Sequence, residues 1–441
     1  MNKKETYNIF TIISMIVGIV IGSGIYFKAD DILYYTEGNI KLGILVLGLG
    51  SICIVFGALS LSVLARNITE SGGVSAYFEH FINKDIATGL GWFHTFVYMP
   101  TAASVVGWAA GIYTFLLFGI EASLGMQVAL GIFYNLFFVF INSRSRKLGG
   151  YVQTISTAIK LIPLFLIAIY GIFFAEPIPI DNASKSFSDI FREFSWISAL
   201  VPLMFAYDGW TISLAISTEV KNPKKNVTRA LIISPFIILI AYLSYLLGIS
   251  NILGANTIIE LGDSAIFEAI KLILGQRLAN VFLVVIIISM LGVVNGVNLS
   301  LIRMPQALAE KNMIPDNGIS KIDSKRGLSK KSVYISYIVL TLWSIINYFV
   351  IKYSIFNGRD VSEISIVFNY LSYILLYKVS FDFIKKDGKK AYLLIPILAT
   401  IGSLIIFIGS LIASFYNVLI FSIICLLVVF FGYKYSKKKN I

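Results

Sequence analysis

Ile21-Gly22-Ser23-Gly24 stands near the middle of the first long apolar stretch, residues 8–33. Two glycines flanking a serine let a backbone leave helical geometry. In a bilayer the amides freed by such a break are tolerated only where they line a protein cavity, and the half-helix that follows offers its N-terminus to an anion such as a carboxylate. Close packing of helices through small residues is the competing reading, and it needs no ligand. A second stretch bears on the choice. Phe205-Ala206-Tyr207-Asp208-Gly209-Trp210 places an aspartate and a glycine inside the sixth apolar stretch, residues 195–219. Its position, five spans after the first, is what an inverted repeat of five helices predicts, with paired broken helices meeting at the membrane midplane around a substrate. Half-helix N-termini then hold a carboxylate and exposed carbonyls hold an ammonium, so one site fits a zwitterion, the backbone of an α-amino acid.

The rest of the chain supplies the membrane that this reading needs. Of its 441 residues 57% are hydrophobic and only 14% charged, against roughly 25% charged in soluble domains. The apolar residues fall in blocks of about 20, the length that crosses a hydrocarbon core. They predict an all-α integral membrane protein with twelve spans: 8–33, 42–65, 85–117, 123–142, 150–174, 195–219, 230–252, 278–303, 332–351, 362–382, 391–411 and 414–433. Residues 8–174 form the first five-helix repeat, 195–382 the second, and 391–433 two further helices. The first stretch is too long and too broken by glycine for a signal-peptide core and reads as a retained helix. A net charge of +12 does not imply nucleic acid, because its distribution follows membrane topology. With the N-terminus inside, 26 of the 36 lysines and arginines fall on the cytoplasmic side and seven outside, which sets both termini inside a cell membrane. Cys53 and Cys425 lie in apolar stretches and read as buried thiols, and Ala265 to Leu274 reads as a short amphipathic surface helix.

Five further features bear on chemistry. Lys160 lies about ten residues, or ~15 Å, into the fifth span, too deep to reach water comfortably; it is either a functional group or a structural ammonium on the carbonyls of a broken helix. Asp208 has three readings: a partner for a substrate ammonium, an ion pair with Lys160, or an N-cap on the second half of the sixth helix. Glu219, beside Lys221, reads as interfacial. Tyr98-Met99-Pro100 predicts a kink in the third helix, and His80 and His94 have no metal-ligand partners nearby. No cofactor is expected. An intramembrane enzyme is disfavoured, since Asp208 lacks a second aspartate at matching depth and Ser23 lacks a histidine. No span carries a filter-like repeat, which disfavours a channel.

Residues 17–26, VGIVIGSGIY, resemble the first-helix motif of the amino acid, polyamine and organocation superfamily. Phe205 to Trp210, followed by TEVKNPKKN at residues 218–226, is similar to the corresponding stretch of its L-type amino acid transporter family. Ser71-Gly72-Gly73 with Ala76-Tyr77, and Arg303 to Pro315, are weaker echoes, and the resemblance covers roughly residues 8–315. It implies a LeuT-type fold with helices 1 and 6 discontinuous, alternating access, and sodium-independent exchange of neutral L-amino acids. Ile21, Gly22, Ser23 and Gly24 would hold the carboxylate and part of the ammonium, and carbonyls around Phe205 and Ala206 would complete the ammonium site. Tyr207 and Asp208 belong to the same candidate set. The Phe205 ring would be the outer gate, and Lys160 would stand where related transporters hold sodium. The chain departs from the family at Val63, often a glutamate, and at Thr211, often an asparagine, which touches the side-chain pocket. Residues 118–122 contain no cysteine, so no disulfide-linked heavy chain is expected. Transport of cationic amino acids or polyamines is the alternative function, because of Asp208.

Overall fold

Asn8, Asn39, Asn83, Ser123, Ser145 and Ser329 each accept the backbone amide three residues on, and each starts a helix in this way. The computed structural model describes residues 7–22, 24–25, 29–176, 187–323, 327–356 and 360–439. The first apolar stretch contains two helices, α1 (Ile9–Val20) and α2 (Ala29–Tyr35). There follow α3 (Ile40–Ala65), the short α4 (Val74–Phe81), and α5 (Lys84–Phe93), which runs through a π-helical turn at His94–Tyr98 into α6 (Met99–Leu117). The expected distortion near Tyr98 and Pro100 therefore takes the form of one wide turn ahead of the proline. Next come α7 (Leu124–Arg144) and α8 (Arg146–Phe173).

After α9 (Phe187–Glu193), the sixth stretch is a 3-10 turn at Ser195–Ala199, then α10 (Leu200–Tyr207), then a 3-10 helix at Ile212–Glu219. α11 (Pro223–Leu253), α12 (Ala255–Leu261), α13 (Ala265–Leu274), α14 (Gln276–Leu301) and α15 (Met304–Glu310) lead to α16 (Lys330–Lys352), α17 (Ser362–Lys386) and α18 (Leu394–Lys439). α18 is bent at Ser414, where the last predicted span begins. α13 is the expected surface helix, and its Ala265, Ile266, Ala269 and Ile270 face the protein.

Nine helices among the described residues are long and apolar enough to cross a membrane. Of the other three expected spans, 8–33 and 195–219 are divided into short pieces, and 362–382 is covered by the continuous α17. Large apolar side chains cover the perimeter, among them Phe133 and Phe137 on α7, Ile338 on α16 and Phe430 on α18. Polar residues instead join helices inside. Asn295 of α14 donates to Gly149 O and Gln153 Oε1 of α8, and Asn298 donates to Asn135 Oδ1 of α7. In a bilayer, where apolar surface gives helices no reason to prefer each other over lipid, such bonds hold a bundle together.

Candidate functional site

α1 stops in an inverse γ-turn: Ile21 has φ −74° and ψ 84°, and the Gly22 amide donates to Val20 O at 2.8 Å. α10 stops at Tyr207, and Gly209 takes a φ of +96° that a side chain would strain. The two stopping points touch. A Cβ built on Gly24 would lie 2.9 Å from Ala206 Cα, so glycine is what lets the backbones meet. Tyr242 of α11 clasps both ends, its hydroxyl 2.6 Å from Ala206 O and 3.1 Å from Val20 O. It satisfies carbonyls that a broken helix leaves without partners.

A cavity of about 40 Å3 lies between these ends. Among the described residues its backbone wall is Gly22, Gly24 and Gly209, its single charged side chain is Asp208, and Ala102, Val106, Ile212, Val293, Val297 and Ile366, with Ile19 and Val20, make the rest apolar. Asp208 Oδ2 accepts the Tyr98 hydroxyl at 2.6 Å, and the Gly209 amide also reaches the carboxylate. Behind it runs a buried chain: His94 Nε2 lies 2.8 Å from Asn369 Oδ1, Asn369 donates to the Tyr373 hydroxyl at 2.7 Å, and that hydroxyl lies 2.6 Å from Thr211 Oγ1. Lys160, fully buried on α8, donates to Gly18 O of α1 at 2.7 Å and to Ser289 O of α14 at 3.1 Å. Among the described residues no group of three His, Cys, Asp or Glu side chains is placed to hold a metal ion.

The amino acid permease family matches residues 7–440. The chain belongs to this family. The permease is 30% identical over 423 residues to the serine/threonine exchanger SteT of Bacillus subtilis (strain 168), covering 93% of this chain and 92% of that protein. It is 28% identical over 234 residues to the b(0,+)-type amino acid transporter 1 of Mus musculus, 52% of this chain and 48% of that one. The human cystine/glutamate transporter is 25% identical over 318 residues, 69% of this chain and 61% of its own. The permease is thus a multi-pass membrane protein of the amino acid, polyamine and organocation superfamily with L-type relatives, a group of transporters and exchangers.

Of the residues singled out from sequence, Gly22, Gly24 and Asp208 line the permease's cavity. Ile21 is fully buried at the turn, Ala206 packs on Gly24, and Tyr207 turns its hydroxyl to Leu47 O of α3 at 3.2 Å. Ser23 lies outside the described residues, as does the Phe205 side chain. The recorded partners of Asp208 are Tyr98 and Gly209 rather than Lys160. Asp208 is also not an N-cap: such a residue takes amides two or three positions on, and the 3-10 helix that follows starts beyond Thr211, which makes no side-chain cap bond.

Glu219 is buried rather than interfacial, because Arg303 at the end of α14 folds over it. Arg303 Nε donates to Oε1 at 2.6 Å and Nη2 to Oε2 at 3.0 Å, and a further bond runs to Leu299 O. The chain ahead of α1 joins the same spot, since the Tyr7 amide donates to Glu219 O at 3.0 Å and the Lys221 amide to Tyr7 O at 2.8 Å. Nearby at the lysine-rich end, Lys311 donates to Glu70 Oε2 at 2.5 Å and to Glu79, and His80 Nδ1 lies 3.2 Å from Glu70 Oε1. Partial burial pushes the Glu70 carboxyl up, but the hydrogen bond and charge of Lys311, then those of His80, outweigh it and hold the group below the usual carboxylate range.

Proposed function

We propose that this permease exchanges small neutral L-amino acids across the cell membrane, without sodium, by alternating access. The carrying observation is the cavity between the ends of α1 and α10, with bare glycine backbone on one wall and apolar side chains on the others. A zwitterion's carboxylate would meet the backbone at Gly22 to Gly24, with Ser23 among them, through amides beyond that of Gly22, which is bonded to Val20 O. Its ammonium would meet carbonyls at the other break, where Ala206 O keeps one lone pair beside Tyr242. At about 40 Å3 the cavity is far below the 300–1,000 Å3 of pockets for drug-sized ligands and suits a small side chain. The serine/threonine exchanger matched along nearly its whole length supports the same size class.

The proposed architecture is LeuT-type: 8–174 and 195–382 as inverted repeats, with 391–433 following. The α1–α2 pair, residues 195–219 and α17 then complete twelve crossings beside the nine qualifying helices. The lysine-rich end is cytoplasmic by the positive-inside rule. The Lys160 ammonium supplies the positive charge between α1 and α14 that sodium supplies in related transporters. Phe205 serves as the outer gate. Both cysteines are free and buried, and no disulfide-linked heavy chain is part of this proposal. The test is uptake of labelled serine into proteoliposomes. Uptake is expected only when a neutral amino acid is preloaded and is expected to be unchanged when sodium is replaced by potassium. Sodium-driven uptake into empty vesicles would end this reading.

Asp208 in the cavity wall favours a second reading, transport of cationic amino acids. Asp208→Asn separates the two: a selective loss of lysine uptake supports the cationic reading, whereas wild-type discrimination of alanine over lysine excludes it.

A further inference from the structure

At the lysine-rich end, a cleft of about 550 Å3 opens between α5, the segment after α15, α16 and α18. Its walls are almost all carbon, from Trp92, Phe96, Ile314, Pro315, Ile335 and Phe431. The Trp92 indole N–H is satisfied internally by Met313 O at 2.8 Å, so this wall presents no polar atom that seeks a ligand. The mouth belongs to the apolar perimeter: Phe431 is 59% exposed, flanked by exposed Phe430 and Leu427 on α18 and Ile338 on α16. An apolar hollow of this size open to the hydrocarbon is filled by acyl chains.

A second hollow, of about 570 Å3, lies on the other side of the turn at Asn317–Gly318. Three ammonium groups line it, from Lys321, Lys330 and Lys331, with Ser329 between them in sequence and Asp323 as its one carboxylate. Lys330 stands 3.5 Å from Asp323, which leaves an excess of positive charge. Lys331 marks the shared wall, since its Nζ donates to Asn317 O and Asn317 lines the apolar cleft. Ile335, one turn along α16 from Lys331, lines that cleft too. α18 adds charge in the same way, with Lys434 three residues beyond Phe431 and the Tyr435 ring tilted against Trp92 at 5.8 Å.

Chain-sized apolar space beside a basic hollow, at the depth where helices leave the membrane, matches one kind of molecule. We propose that the two hollows form a single site for an anionic phospholipid of the adjoining leaflet, its acyl chain in the cleft and its phosphate head group on Lys321, Lys330 and Lys331. Attraction between lysines and anionic head groups is the electrostatic part of such recognition. The site is separate from the cavity between α1 and α10.

The test uses the full-length permease in detergent with equimolar phosphatidylglycerol and phosphatidylcholine, read by native mass spectrometry. Phosphatidylglycerol is expected to be retained in preference. K321Q/K330Q/K331Q is expected to abolish that preference, and Ile335→Trp to abolish retention with the lysines intact, since it fills the cleft. Equal retention of both lipids by the wild type, which is an annular lipid only, overturns the proposal. So does undiminished phosphatidylglycerol binding by the triple variant or by Ile335→Trp.

Discussion

Tyr98 is the residue that makes a carboxylate tolerable at Asp208, because a buried charge is stable only with donors aimed at it. Tyr98→Phe removes one of the two recorded donors and should cost about 1–3 kcal/mol of thermal stability in detergent. Asp208→Asn removes the charge itself, so in the double variant the two effects should fall well short of adding; additive losses would show that the pair is not coupled. Asp208 was legible in the sequence as a polar residue inside an apolar stretch, and Lys160 as an ammonium too deep for water. Their partners were not. Tyr98 lies 110 residues from Asp208 and read only as part of a kink, while Tyr242 is one of several aromatic residues in a long apolar helix. A hydroxyl that reaches a carbonyl on another helix leaves no periodic signal, and only the fold reveals it.

At the scale of elements, the stops in α1 and α10 were readable because glycine beside serine or aspartate is a local signal. The closure at the lysine-rich end was not, since Glu219 and Arg303 are 84 residues apart and each alone resembles an interfacial charge. Their pairing fixes the end of the 3-10 helix at Ile212–Glu219 against α14, and the Tyr7 strand-like pairing with Val220 adds the entry to α1. Under the alternating access proposed above, this pair would close the lysine-rich side of the permease. Glu219→Gln leaves Arg303 buried without its counter-charge, a loss of about 3–5 kcal/mol. Cysteines placed around the end of α1 should then react faster with impermeant thiol reagents from the lysine-rich side. Unchanged labelling would mean that the pair is merely structural. The two uneven halves of the sixth stretch follow from the same geometry: beyond Gly209 the chain continues as a 3-10 helix, a tighter coil than the sequence suggested.

Across the whole molecule, a charge-poor bundle ends in a basic face, and charge pairs there knit the loops between helices. Lys311 after α15 gathers Glu70 and Glu79 from the α3–α4 region. Because Glu70 is held below its ordinary value of 4.5 in the folded protein, its contribution to stability is present above that value and is lost as pH falls through the folded one. Melting temperature should therefore drop as pH falls below that ordinary value, and Lys311→Gln should flatten that part of the curve. The same drop in the variant would place the acid sensitivity elsewhere. That the chain is an all-helical, multi-pass membrane protein was visible in its composition, whereas the cavity between the ends of α1 and α10 depends on six apolar residues from α6, α14, α17 and the 3-10 helix, which spacing alone does not bring together. That cavity carries the account, and ligand-induced thermal stabilisation of the purified permease tests it most directly. Serine, threonine and alanine should raise the melting temperature of the wild type and leave Ala102→Leu, whose added carbons fill the cavity, unmoved; an equal rise in that variant would contradict a substrate site between the two broken helices.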